Sequence, residues 1–127
     1  MLIKKVEYAY YITFYQSRMI IKERNPTYDE YKTLREAVGW WSTEDKSTKT
    51  ALKNALYSVV ALHNGAVIGI GRIIGDRGLY YYIQDLIVHP DYQRKGSGTR
   101  LMTKCLRFAN TITYFHHYNL CNCSLST

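Results

Sequence analysis

A chain of 127 residues, 46% hydrophobic and 21% charged, has room for one ordinary globular domain and is too apolar and too varied for a disordered, collagenous or coiled-coil protein. Its 17 Lys+Arg against 10 Asp+Glu leave a net charge of +7, which suits a polyanionic ligand as well as it suits a solvated basic surface.

The chain opens "MLIKKVEYAYYITFY", lysines followed by an apolar run. No small-residue cleavage site follows and the run is too short to span a bilayer, so neither secretion nor membrane anchoring is expected. "MIIKE" reads as a short strand. In "NPTYDEYKTLREAVG", Thr27 and Glu30 form a capping box, Tyr31, Leu34 and Val38 recur at helical spacing, and Gly39 supplies the stop. A second helix is expected from Ser42 or Thr43, with Ala51, Leu52, Ala55 and Leu56 on one face and Trp40 and Trp41 in the link before it. "YSVVAL", "AVIGIGRII" and "LYYYIQDLIV" then read as three strands; the short turns "HNG" and "GDRG" between them require antiparallel pairing. From Gly98, the residues Leu101, Met102, Cys105, Leu106 and Ala109 repeat at helical intervals. In the tail a further strand is expected around residues 112–118. Cys105, Cys121 and Cys123 are odd in number, with a C-x-C spacing too tight to bridge easily, so no disulfide framework is expected and the cytoplasm is the default compartment. Cys121 and Cys123, near His116 and His117, lack the second pair of a zinc site, and no metal is expected.

The informative stretch is "DLIVHPDYQRKGSGTRLM", in which a strand runs into two basic residues and two closely spaced glycines and then into a helix. Amides at a helix start have no intrahelical partner and sit at the positive end of its dipole, which makes an anion site. Gly96 and Gly98 keep side chains clear, while Arg94 and Lys95 add charge. Neither G-x-x-x-x-G-K-[ST] nor G-x-G-x-x-G is satisfied, so a dinucleotide site is excluded. The order Gln93-x-x-Gly96-x-Gly98 after "LIVHPDY" resembles the GNAT superfamily of acyl-CoA-dependent N-acetyltransferases, and the resemblance extends over residues 19–108.

The resemblance implies an α/β (α+β) GNAT-like fold, a mixed, mainly antiparallel sheet flanked by helices and splayed at its last long strand. It implies acetyl-CoA as co-substrate, its pyrophosphate held by Gln93, Arg94, Lys95, Gly96, Ser97, Gly98 and Thr99, and its pantetheine arm paired with the backbone of Leu86, Ile87 and Val88. It also implies direct attack of an acceptor amine on the thioester, which requires positioning, a base and oxyanion stabilisation. Strict alternation groups Tyr80, Tyr82, Gln84 and Leu86 on one face and sets Asp85 opposite; a β-bulge would bring Asp85 round. Asp85, Gln84 and Tyr82 are therefore the catalytic candidates. Many relatives carry glutamate at the position of Gln84, whose amide cannot act as a base, and Asp85 has an alternative as a structural partner of Arg72. Trp40, Trp41 and Tyr80 to Tyr82 are candidates for an acceptor pocket or simply core.

Residues 1–18 fall outside the resemblance, and the tail does not resemble the second half of the family's fold. Residues 19–127 are thus expected to form a single domain, either C-terminally truncated or a short natural variant, that completes its sheet as a homodimer or folds poorly. The expected function is N-acetyl transfer to an amine of a small molecule or protein. The alternative is a non-catalytic acyl-CoA-binding or regulatory module, and scattered basic residues without a recognition motif disfavour a nucleic-acid binder.

Overall fold

The computed structural model describes residues 2–112 and 125–126. Helix α1 (Leu2–Arg18) runs into strand β1 (Met19–Lys22), followed by helices α2 (Tyr28–Ala37) and α3 (Asp45–Lys53). Strands β2 (Tyr57–His63), β3 (Ala66–Gly75) and β4 (Tyr81–Val88) come next, then a 3-10 turn at Pro90–Tyr92, helix α4 (Ser97–Thr111) and the short strand β5 (Leu125–Ser126).

The five strands lie in the order β1-β2-β3-β4-β5, antiparallel throughout except for β5, which runs parallel to β4. The β2–β3 hairpin turns on Asn64 and Gly65, both at positive φ, as a two-residue turn matched to strand twist demands. The β3–β4 turn is held by Asp76, whose Oδ1 accepts from the amides of Gly78, Leu79 and Tyr80. Those three bonds hold the Asp76 carboxyl below its usual range.

The capping box starts α2 as expected: the Glu30 amide donates to Thr27 Oγ1 at 3.2 Å, the Thr27 amide to Glu30 Oε2 at 2.8 Å, and Arg24 grips the same carboxylate through both Nη atoms. Helix α3 begins later than expected. Glu44, not Ser42 or Thr43, caps it by accepting from the amides of Lys46 and Ser47, and it ends at Lys53. Ala55 and Leu56 lie beyond the helix, and Leu56 still packs against the core from the connection to β2.

The sheet has a core on each side. On one face Val59, Ala61, Ile73, Ile83, Leu86 and Val88 meet Leu101, Cys105 and Ala109 of α4, and α1 joins that layer through buried Tyr15. On the other, Val60, Ile70 and Ile87 meet Tyr31 and Leu34 of α2 and Leu52 of α3. Helix α4 lies close because β3 offers glycine: a Cβ at Gly69 would come within 2.9 Å of Leu101 Cδ1. Residues 2–18, outside the sequence resemblance, thus form an added helix. Of the expected tail strand only residue 112 is described; residues 113–118, with His116, His117, Cys121 and Cys123, lie outside the described residues.

Candidate functional site

Beyond Val88 the chain leaves the sheet because Pro90 has no N–H to offer a ladder. The 3-10 turn starts there, with His89 Nδ1 accepting from the Asp91 amide at 3.2 Å. Gln93 Nε2 donates to the Val88 carbonyl at 2.9 Å, tying the loop back to the strand it left. Arg94 and Gly96 both take left-handed conformations, φ +61° and +89°, and turn the chain into α4. No side chain caps the start of α4, so the amides of its first turn stay available to an anion.

A groove of about 610 Å³ opens between the end of β4 and α4. Leu86, Val88, Gln93, Arg94, Gly96, Gly98 and Thr99 line it. The side chains of three other coenzyme candidates point elsewhere. Ile87 is buried on the α2 face, Ser97 meets Tyr15 at 3.2 Å, and Lys95 sits over the rings of Tyr11, Tyr15 and Tyr92. Met102, Thr103 and Leu106 also line the groove. Sequence reasoning used Met102 and Leu106 only as part of the helical repeat, although Gly98, Met102 and Leu106 share an i, i+4 spacing that puts them on one stripe of the helix.

At Asp85 strict alternation fails and the bulge alternative holds. Ile70 pairs with Ile87 and Arg72 with Gln84, so Asp85 and Leu86 together face the single residue Gly71: a β-bulge with Asp85 at φ +57°. The bulge reverses the alternation. Leu86 belongs to the α4 face, and Asp85 shares the α2 face with Gln84 and Tyr82, contrary to the grouping that strict alternation predicts.

Asp85 is only 4% exposed and is well partnered. Tyr31 Oη donates to its Oδ2 at 2.8 Å, Arg35 Nη1 lies 3.4 Å from Oδ1, and Arg72 Nε lies 3.3 Å from Oδ2. Burial and the Asp85 carboxylate push the Tyr31 phenol above its ordinary value. Tyr31 and Arg35 also line a second cavity of about 250 Å³ between α2 and α3, with Glu36 and Asp45. The other acceptor-pocket candidates are dispersed. Trp41 is 88% exposed, Trp40 packs on the α2-face core under the Arg35 guanidinium, Tyr81 turns to the α4 face and Tyr80 is half exposed.

The edge of β4 expected to receive a pantetheine arm carries β5, paired at Leu86 and Ile87. That pairing covers only two residues and stops at Ile87, before β4 ends at Val88. Among the described residues no group of three His, Cys, Asp or Glu could hold a metal ion, and no helix is long and apolar enough to cross a membrane.

Comparison with known proteins places this geometry in context. The model of the acetyltransferase (GNAT) family matches residues 17–122. The chain is 34% identical over 95 residues to the uncharacterized N-acetyltransferase ycf52 of Porphyra purpurea, covering 68% of this chain and 55% of that protein. Further ycf52 relatives are covered over 42%, 46% and 52% of their length, so the chain spans about half of the curated relatives it matches. Among solved structures, a probable acetyltransferase from meticillin-resistant Staphylococcus aureus superposes with a TM-score of 0.70 at 28% identity, over 74% of this chain and 71% of that one. A GNAT family protein from Streptococcus pneumoniae superposes with a TM-score of 0.62 at 36% identity, over 70% of this chain and 66% of that one.

Proposed function

This chain belongs to the GNAT acetyltransferase family, whose members use acyl-CoA, and from that membership we propose that it transfers an acetyl group from acetyl-CoA directly to an amine of a small molecule or protein. The observation that carries the reading is the groove at the start of α4, where an uncapped helix N-terminus, the glycines 96 and 98 and the Arg94 side chain meet the end of β4. Amides from residue 94 to 99 would hold the pyrophosphate at the positive end of the helix dipole. Leu86, Val88, Met102 and Leu106 give the groove an apolar wall beside the pantetheine arm. The bulge at Asp85 leaves backbone out of the β3–β4 ladder beside the reaction centre, where an N–H can meet a developing oxyanion. The acceptor nitrogen, once deprotonated, attacks the carbonyl carbon; the C–S bond breaks as the C–N bond forms, and the sulfur leaves as a thiolate that takes a proton.

For the proton on the acceptor, Asp85 offers a carboxylate on the face where the acceptor would approach, but a phenol and two guanidiniums already face it. Those contacts support a role in holding the bulge against α2 over a role as base. Gln84 and Tyr82 share its face of the sheet, where the acceptor would approach. The same contacts, with the amide at Gln84, favour a second reading in which the chain binds acyl-CoA without transferring its acyl group.

Incubation with acetyl-CoA and a panel of primary amines, followed by thiol release and by mass of the product, tests the proposal. Amine-dependent thiol release with one acetyl group added is the expected result. Coenzyme binding with no release above the amine-free blank, across the panel, would leave the second reading in its place.

A further inference from the structure

We propose that α1, which precedes nearly all of the family-matched region, is a brace that sets the direction of the amides in the coenzyme loop, with Tyr8 and Tyr15 as its positioning residues. The proposal rests on the reading of that loop as a pyrophosphate site. One helix holds the loop at three residues, Arg94, Lys95 and Ser97. Tyr8 Oη donates to the Arg94 carbonyl at 3.3 Å. Lys95 Nζ lies 5.3, 5.1 and 5.6 Å from the ring centres of Tyr11, Tyr15 and Tyr92, and donates to the Asp91 carbonyl at 3.1 Å. Tyr15 Oη and Ser97 Oγ, both in buried residues, share a hydrogen bond of 3.2 Å.

The peptide plane explains why this bears on the ligand. A trans peptide points its C=O and its N–H in opposite directions. A hydroxyl on α1 that fixes the Arg94 carbonyl toward the helix therefore fixes the Lys95 N–H away from it. Arg94 needs such a restraint, because φ +61° is a conformation that a residue with a Cβ rarely adopts unless its surroundings impose it. The Lys95 ammonium, drawn onto three aromatic rings, keeps its side chain out of the groove lining. Ser97, the first residue of α4, is fixed to the same helix, so both ends of the turn are held in one frame. Tyr8 is 59% exposed and contributes little to the core, which separates its effect on the loop from an effect on folding.

The test uses the full chain and the variants Tyr8→Phe, Tyr15→Phe and the double variant, which keep the rings and remove only the hydroxyls. Binding of coenzyme A and of acetylpantetheine, which lacks the pyrophosphate, is measured by calorimetry, with thermal melting alongside. Tyr8→Phe should weaken coenzyme A about threefold and the double variant about tenfold, with acetylpantetheine affinity unchanged and the melting temperature of Tyr8→Phe equal to that of the parent. Parent-like coenzyme A affinity in the double variant would overturn the brace while leaving the loop's role intact. An equal loss for both ligands would also overturn it, since it would report general loosening. A parent protein that binds neither ligand would remove the pyrophosphate reading and the brace together.

Discussion

At Asp85 the sheet and α2 are joined by one carboxylate facing a phenol and two guanidiniums. Removing a buried charge from such a set leaves its partners uncompensated, at a cost of about 3 kcal/mol or more. Asp85→Asn should therefore lower the melting temperature by several degrees or more while coenzyme affinity holds, which thermal melts and calorimetry together can read. A rate loss of about a hundredfold with an unchanged melting temperature would instead identify a base. Cys105, fully buried against Gly71 of β3, gives a prediction in pH. Burial raises its thiol from 9.0 to about 12. An acid whose folded value is raised keeps its stabilising contribution below the unfolded value and loses it as pH climbs. Stability should thus hold to about pH 9 and fall between there and about pH 12, and Cys105→Ala should show a shallower fall over that window in denaturant titrations.

Among the elements, β4 has two claimants for one edge. β5 pairs with Leu86 and Ile87, the backbone on which a pantetheine arm would be laid. A chain ending at residue 124 should consequently bind coenzyme A as tightly as the full chain or a few times more tightly. Weaker binding would mean that β5 belongs to the site and does not compete with it. How far such features could be read from sequence depends on whether the signal is local. The start of α2 was legible because Thr27 and Glu30 cap it within four residues, and the β2–β3 hairpin because Asn64 and Gly65 tolerate positive φ. The turn from β4 into α4 was legible because Gly96 and Gly98 stand between a strand pattern and a helical repeat. The start of α3 was misread because Glu44 caps it, one residue past Thr43 and two past Ser42, both of which also suit a cap, while Leu56 is held in the core from a connection without helical backbone. The bulge at Asp85 is set by pairing with β3, so alternation along β4 alone could not fix which face Asp85 takes. The added helix α1 was not legible: its tyrosines are spread around the axis, and Tyr8, Tyr10 and Tyr11 are all exposed, so no apolar stripe of period 3.6 announces it.

Over the whole molecule, the sheet separates two settings. One face carries the groove at the head of α4, with α1 against its loop; the other carries Asp85, α2 and α3. A net charge of +7 favours approach of a polyanion, and because the groove is open to solvent that contribution should weaken as salt rises. The central claim is that the amides between β4 and α4 hold the pyrophosphate of coenzyme A. Calorimetric titration of coenzyme A into the full chain and into Gly98→Val tests it most directly, because residue 98 lines the groove and a branched side chain there would occupy space the ligand needs. The account predicts saturable binding to the parent chain, its loss in Gly98→Val at an unchanged melting temperature, and only a modest weakening in Arg94→Ala, which removes charge but no amide. Equal affinity in the parent and in Gly98→Val would contradict it.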